Sequence, residues 1–304
     1  MTAGPKKDLA HSIRQRLQQI AKTSRRPFQE IFQYFVMERF LYRVSLSRHA
    51  EKFVLKGALM FTAWKAAEFR PTRDIDFLGK TGNDRDEIAA AFREICEIET
   101  EPDGLRFDAA SLEANVIKED ADYEGVRVTF LAYLEKSRFA MQIDLGFGDV
   151  TIPEPLMTDY PTLLELPAPR LKGYSRETVV AEKFEAMTKL GMLNSRMKDF
   201  FDLWSLSRQF DFDGATLARA IAATFRHRGT EVIAAPTALT QEFAADATKQ
   251  TQWTAFVRKT RLAEAPGDLA PVIETLARFL SPVADAVASG ATFTQQWKAP
   301  GPWT

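Results

Sequence analysis

The middle of this chain alternates. Val126-Arg-Val-Thr-Phe130 is strictly apolar–polar, the run continues to Leu134, and after Glu135-Lys136-Ser137 the residues Phe139, Met141, Ile143 and Leu145 alternate again. Two period-2 runs joined by three polar residues bury one face each only as paired antiparallel strands, so this stretch predicts a β-hairpin. On the N-terminal side the period is that of a helix. Leu9, Ile13, Leu17 and Ile20 recur at helical spacing, and Phe28, Ile31, Phe32, Phe35 and Val36 do so again beyond Arg26-Pro27, which predicts two helices over residues 8–46. Phe53 to Gly57 followed by Ala58 to Trp64 reads as strand, turn and helix. Arg70 to Leu78 reads as a second strand entered through Pro71, and Asn83 as the cap of a helix running to Glu99 with Ile88, Phe92 and Ile95 inward.

Prolines 153, 155, 161, 167 and 169 form the densest proline stretch and mark a domain boundary. Beyond it the patterns are almost wholly helical, over residues 175–192, 195–210, 214–227, 239–262 and 268–289. The predicted order is a helical arm (residues 1–48), a mixed α/β core (49–152) and a helical C-terminal domain (153–304).

Composition removes several classes of function. With 45% hydrophobic and 27% charged residues over a length of 304, and only 15 Gly and 15 Pro, the chain is neither disordered nor collagen-like. Its longest uncharged stretch, Ala286 to Trp297, is rich in Ser, Thr and Gln, far from the roughly 20 apolar residues of a membrane span. Lys6, Lys7 and Asp8 are not followed by an apolar segment, so the N-terminus does not read as a secretory signal, and the expected compartment is the cytoplasm. The single cysteine, Cys96, allows no intrachain disulfide and no cysteine-based zinc site; it lies beside an inward stripe and is expected to be a buried structural thiol. His11, His49 and His227 are far apart, so any chemistry falls to carboxylates, lysines and arginines. The net charge of −1 is unevenly spread: residues 1–29 carry seven Lys or Arg against Asp8 alone, whereas Asp84 to Glu124 holds fourteen acids against four bases. A basic arm of this kind reads either as a solvated helix surface or as a surface for a phosphate backbone.

The sharpest local feature is Arg70-Pro-Thr-Arg-Asp-Ile-Asp-Phe-Leu78. In a strand, Asp74 and Asp76 share one face while Ile75 and Phe77 take the other. Two adjacent carboxylates repel unless a cation lies between them, and a hard divalent ion such as Mg²⁺ fits that need. The competing reading is a solvated edge flanked by Arg70 and Arg73. On the hairpin, Gln142 and Asp144 occupy the face opposite Phe139, Met141, Ile143 and Leu145. Asp144 is thus placed to be a third ligand if its strand neighbours the Asp74/Asp76 strand, as a two-metal phosphoryl-transfer site requires. Asp149 falls beyond the strand and reads as a loop acid. Gly57, at a strand-to-helix turn, lets backbone N–H groups approach a phosphate, although no P-loop lysine follows it.

Glycine, a helix, Asp-x-Asp on a strand and one Asp on a later strand is the layout of polymerase-β-like nucleotidyltransferases. More specifically, the chain resembles the AbiEii/AbiGii family of nucleotidyltransferase toxins in Leu55-Lys-Gly-Ala-Leu59, Arg70-Pro-Thr-Arg-Asp-Ile-Asp76, Gln142-Ile-Asp-Leu-Gly146, Ala181-Glu-Lys-Phe-Glu-Ala186 and Arg196-Met-Lys-Asp-Phe-Phe-Asp202. Two of these motifs also stand on physical grounds. On a helix capped by Ser175, Lys183 falls within an arc of Val179, Val180, Phe184, Met187 and Leu190, where an unpaired ammonium is expensive; that conflict favours a functional lysine over one that snorkels to the edge. On the next helix Met197, Phe200, Phe201 and Trp204 are expected to face the core. Lys198, Asp199 and Asp202 are expected on the opposite side, Lys198 and Asp202 at the spacing of a surface ion pair.

The resemblance implies an α+β fold: a polymerase-β-like core of mixed sheet and helices, preceded by a helical arm and followed by a mostly helical domain that completes an active-site cleft. It implies a toxin of a toxin–antitoxin or abortive-infection system that transfers NMP from an NTP to an acceptor hydroxyl. The implied acceptor is a tRNA 3′ end, and a cognate antitoxin is the implied partner. Asp74, Asp76 and Asp144 would hold Mg²⁺ in a two-metal site, with Lys183 and Asp199 as further catalytic residues; Gly57, Arg73, Lys183, Arg196 and Lys198 would meet the nucleotide. Ala58 follows Gly57 where many relatives carry Ser or a second Gly, which removes a hydroxyl contact to phosphate. A small-molecule or protein hydroxyl as acceptor, and a non-catalytic nucleotide-binding protein of the same fold, are the alternatives.

Overall fold

The computed structural model describes residues 5–67, 69–120, 123–262 and 264–304. Residues 1–4, part of the segment read as lacking a leader, lie outside the described residues, as does Asp122 of the acidic stretch; the side chains of Lys6 and Lys7 in the basic arm are likewise outside the description. The chain divides into two compact units. One comprises Met1–Lys65, Pro71–Gly148 and Leu156–Gly173; the other comprises Ala66–Arg70, Asp149–Pro155 and Tyr174–Thr304.

In the first unit the two expected helices are α1 (Pro5–Ser24) and α2 (Phe28–Leu46), parted at Pro27, whose extended backbone and missing N–H suit the residue before a helix. Helix α2 is buried continuously from Ile31 to Val44, charged residues included. A helix enclosed all round must pair its charges, and it does: Arg43 forks Asp103 at 2.7 and 3.2 Å, Arg39 donates to the Pro167 carbonyl, and Glu38 accepts from the Leu163 backbone N–H at 2.7 Å.

Strand β1 (Phe53–Lys56), the single-turn helix α3 (Leu59–Ala63), β2 (Ile75–Gly79) and helix α4 (Arg85–Cys96) follow. The cap of α4 is Asp84 and not Asn83: its carboxylate accepts from the N–H groups of Asp86 and Glu87 at 2.9 and 2.8 Å. Cys96 is buried at the end of α4, and burial pushes its thiol up to about 12, as befits a structural thiol. Three long strands come next, β3 (Leu105–Asp120), β4 (Tyr123–Leu134) and β5 (Ser137–Phe147), then β6 (Leu156–Asp159) and β7 (Arg170–Gly173). The expected hairpin is β4–β5, antiparallel from Val126↔Leu145 to Leu134↔Ser137. Strand β3 has no counterpart in the sequence pattern because its register with β4 shifts between Asp108 and Glu113, which breaks the period of two.

These strands form one mixed seven-stranded sheet in the order β3-β4-β5-β2-β1-β7-β6. The mixed α/β expectation is met in this sheet. The pairs β2–β5 and β1–β7 are parallel and the others antiparallel. One face carries the alternating apolar residues Val126, Val128, Phe130, Ile143 and Leu145, all buried, and meets α2 and α4: the Phe40 ring lies 5.0 Å from Phe130 and 6.1 Å from Phe92. Burial of each such side chain contributes roughly 1.5–3 kcal/mol, and it is this face that forces the polar alternates, Asp144 among them, to the other side.

The second unit is built on α5 (Arg176–Leu190), α6 (Met197–Gln209), α7 (Gly214–Arg228), α8 (Gln241–Ala245), α9 (Ala247–Thr260) and α10 (Ala270–Ser289), with the two-residue strands β8 (Phe212–Asp213) and β9 (Gln296–Trp297) paired. The helical stretch expected over 239–262 is two helices, because Asp246 takes an extended backbone and caps α9 by accepting from the Lys249 N–H. Ser175 caps α5 as expected, accepting from the Thr178 N–H at 3.1 Å. Among the described residues no helix is long and apolar enough to cross a membrane.

Candidate active site

Asp74 immediately precedes β2 and Asp76 lies within it, while Ile75 and Phe77 between and beyond them are fully buried on the opposite face. Strand β5 runs parallel beside β2, and Asp76 is the direct register partner of Asp144. The three acids therefore converge: carboxylate oxygens of Asp74, Asp76 and Asp144 all lie within 4.8 Å of one another. An all-oxygen, acid-rich donor set of this size suits a hard divalent cation.

Each carboxylate is held from a different side. Helix α2 steadies the lead-in to β2, since Gln33 Nε2 donates to the Thr72 carbonyl and the Tyr34 hydroxyl accepts from the Thr72 N–H at 3.2 Å; the Thr72 hydroxyl then donates to Asp74 Oδ1 in a short hydrogen bond. Asp76 is crowded by Gly57, which has φ +71°; a Cβ built on Gly57 would overlap the Asp76 carboxylate. That is the close approach that requires glycine at this turn. The helix after it, α3, has only five residues and so supplies little dipole. Asp144, 8% exposed, is gripped by Arg127 of β4, with Nε to Oδ1 and Nη2 to Oδ2 both 2.8 Å, and Gln142 Nε2 donates to Oδ2 at 3.2 Å. Arg73, between Thr72 and Asp74, is exposed.

In the second unit Lys183 is indeed drawn inward, and it is paired. Its Nζ lies 2.5 Å from Asp199 Oδ1 and 2.9 Å from Asp202 Oδ2. Asp202 is also forked by Arg70 at 3.0 and 3.1 Å, and Asp199 meets Arg196 at 2.7 Å. Both aspartates are 1% exposed, so α6 does not turn them outward as expected: Lys198 is exposed and Asp202 is buried, its carboxylate engaged by Lys183 and Arg70 instead of a surface pair with Lys198. Burial opposes ionisation of Asp199, yet the Lys183 and Arg196 charges outweigh it and hold the carboxyl down to about 2. Burial likewise opposes the charge on Lys183, but Asp199 and Asp202 raise its pKa. Asp149, read as a loop acid, pairs with Arg228 at 2.8 Å within this unit.

Sequence reasoning missed Thr72, Arg70 as partner of Asp202, and Arg127. Thr72 stands two residues before Asp74, the reach of a local hydroxyl–carboxylate bond. Arg127 is the polar alternate next to Val126 on the hairpin, a position that pairing with β5 places opposite Asp144.

A family model described as nucleotidyl transferase AbiEii toxin, type IV TA system, matches residues 39–282. No curated protein matches the chain. Among solved structures the chain is similar to JHP933 from Helicobacter pylori, at 14% identity and a TM-score of 0.49 over 86% of this chain and 93% of that one. It is also similar to a proposed nucleotidyltransferase from H. pylori, at 15% identity and a TM-score of 0.46 over 86% and 96% of the two chains.

Proposed function

This chain belongs to the AbiEii nucleotidyltransferase toxin family of type IV toxin–antitoxin systems, and from that premise we propose that it transfers NMP from an NTP to the 3′ hydroxyl of a tRNA with Mg²⁺ as cofactor. The observation that carries the proposal is the convergence of Asp74, Asp76 and Asp144 from β2, its lead-in and β5. The donor set fits Mg²⁺: oxygen ligands only, three acids of which one lies directly across from another, and a glycine where any side chain would invade the cluster.

Held by those three carboxylates, one or two Mg²⁺ ions would neutralise phosphate charge and favour the deprotonated acceptor oxygen. The chain's own part is positioning. Thr72 fixes the Asp74 carboxylate, Gly57 leaves room for that of Asp76, and Arg127 sets the plane of Asp144 on the side of the acceptor. Gly57, Arg73, Lys183, Arg196 and Lys198 are assigned to the nucleotide, the cations among them to its phosphates. Asp199 keeps Lys183 charged and oriented. In the transfer the acceptor oxygen bonds to the α-phosphorus, the bond to the bridging oxygen breaks with its electron pair going to pyrophosphate, and the hydroxyl proton is released to solvent. As in any toxin–antitoxin pair, an antitoxin is the partner that restrains the activity.

The test is label transfer from each of the four α-labelled NTPs, with Mg²⁺, to total tRNA and to total cell protein, with Asp76→Ala beside the wild type. Label on tRNA that vanishes in the variant is the expected result. Label on protein alone would replace the acceptor, and NTP binding without transfer to any acceptor would overturn the assignment of catalysis.

A further inference from the structure

Across four neighbouring strands the register aligns one row of residues. Lys56 of β1 faces Asp76 of β2, Asp76 faces Asp144 of β5, and Asp144 faces Arg127 of β4. The row thus reads cation, acid, acid, cation. The two acids in its middle and Asp74 beside them bring three carboxylates within 4.8 Å, an arrangement that repels strongly when all three are ionised. The Arg127 fork answers that repulsion at one carboxylate, with two parallel bonds of 2.8 Å and the guanidinium side chain 40% exposed at the rim of the site. Strand pairing itself delivers the arginine, so its position does not depend on a mobile loop.

We propose that Arg127 is a resident counter-cation of the carboxylate cluster, the one that serves Asp144: it holds Asp144 in ligand orientation before a metal arrives, and its charge makes divalent-cation binding depend on the nucleotide. The proposal rests on the reading of Asp74, Asp76 and Asp144 as metal ligands. A carboxylate oxygen has two lone pairs; the fork uses one on each oxygen of Asp144 and Gln142 takes the second on Oδ2, which leaves one on Oδ1 for a metal. The carboxylate can therefore accept a metal without releasing Arg127, which then acts through Asp144 as a positioning residue. The same guanidinium offsets one of the negative charges by which the three acids attract a free divalent ion. An NTP brings several negative charges of its own, restores that attraction, and so fills the site with metal and substrate together.

The experiment is Mn²⁺ titration of the full chain, followed by the electron paramagnetic resonance signal of free Mn²⁺, for wild type, Arg127→Gln, Arg127→Lys and Asp76→Asn, with and without a non-transferable NTP analogue. Arg127→Gln, which removes the charge, is expected to bind Mn²⁺ at least about threefold more tightly than wild type without nucleotide, the gap closing when the analogue is present. Arg127→Lys keeps the charge, and with it the compensation Asp144 needs for folding, but loses the fork. It is expected to keep wild-type Mn²⁺ affinity while kcat for transfer falls and KM for NTP holds. Arg127→Gln binding no more tightly than wild type, or Arg127→Lys leaving kcat unchanged, overturns the role of Arg127 while Asp76→Asn still weakens Mn²⁺. If Asp76→Asn binds Mn²⁺ as well as wild type does, the metal reading falls and the inference with it.

Discussion

Asp76 and Asp144 are direct register partners on parallel strands, Asp76 on β2 and Asp144 on β5. Side chains opposite one another on neighbouring strands are close enough to interact, and two acids in that relation repel. Replacing Asp76 by Asn removes one negative charge from the cluster without changing shape. In EDTA the variant is expected to melt no lower than wild type. With Mg²⁺ the wild type is expected to gain thermal stability and the variant not, while transfer falls by at least about 100-fold. A variant that still gains stability from Mg²⁺ would place the metal elsewhere.

Gly57→Ala tests the close approach to that same carboxylate. The substitution puts a Cβ into the Asp76 side chain at a backbone of φ +71°. Gly148, at φ +83° with nothing near its missing Cβ, supplies the comparison for backbone strain alone. Both alanine variants are expected to lose about 1–3 kcal/mol of stability in urea unfolding, but only Gly57→Ala is expected to lose transfer activity.

The Lys183–Asp199 pair predicts an acid limb of stability. The folded-state value for Asp199 is about 2, below the ordinary carboxylate value, because Lys183 and Arg196 outweigh burial. Stability from a depressed carboxyl is fully present above its unfolded value and drains away as pH falls towards 2, since only the unfolded chain then gains a proton early. Asp199 is expected to contribute about 2–3 kcal/mol at neutral pH. Lys183→Met should shrink that limb and destabilise the chain by about 1–3 kcal/mol, because it leaves the buried Asp199 with Arg196 as its ion-pair partner. Urea midpoints between pH 2 and pH 7 would show a flat difference if the pair were unimportant.

Glu38 predicts the opposite slope. Burial pushes its carboxyl up to about 7, against the pull of the Leu163 N–H and Arg39. A raised acid keeps its proton in the folded chain after the unfolded chain has lost its own, so this contribution is fullest below the unfolded value and is lost as pH rises to 7. Glu38→Gln is expected to raise the melting temperature at pH 8, by the equivalent of about 1–3 kcal/mol, and to have little effect at pH 5. Equal effects at the two pH values would show Glu38 ionised throughout.

Much of this was legible in the residues. The alternation of Val126 to Phe130 and of Phe139 to Leu145 marked β4 and β5, and the same period put Asp74 with Asp76 and set Asp144 opposite the apolar face. The arc around Lys183 marked a lysine that needed a partner. Other features were hidden for physical reasons. A register shift erased the period of β3, and β6 and β7 are four residues each, too short to show one. Met197, Phe200, Phe201 and Trp204 of α6 are buried as expected, but the burial of Asp199 and Asp202 was hidden, because both look like solvent-facing residues until the charges that compensate them are known.

What the sequence determined by itself is local: where strands and helices run, and which side chains share a face, since these follow from the backbone geometry of consecutive residues. Which strand lies beside which was decided only by the tertiary structure. The pairing of β2 with β5 brings Asp76 to Asp144, and the pairing of β4 with β5 brings Arg127 to Asp144. Arg70 and Lys183 meet Asp202 across similarly distant stretches of chain. Such contacts are fixed by the joint burial of many apolar side chains far apart in the chain, and a charge finds its partner only after that burial has chosen the neighbours.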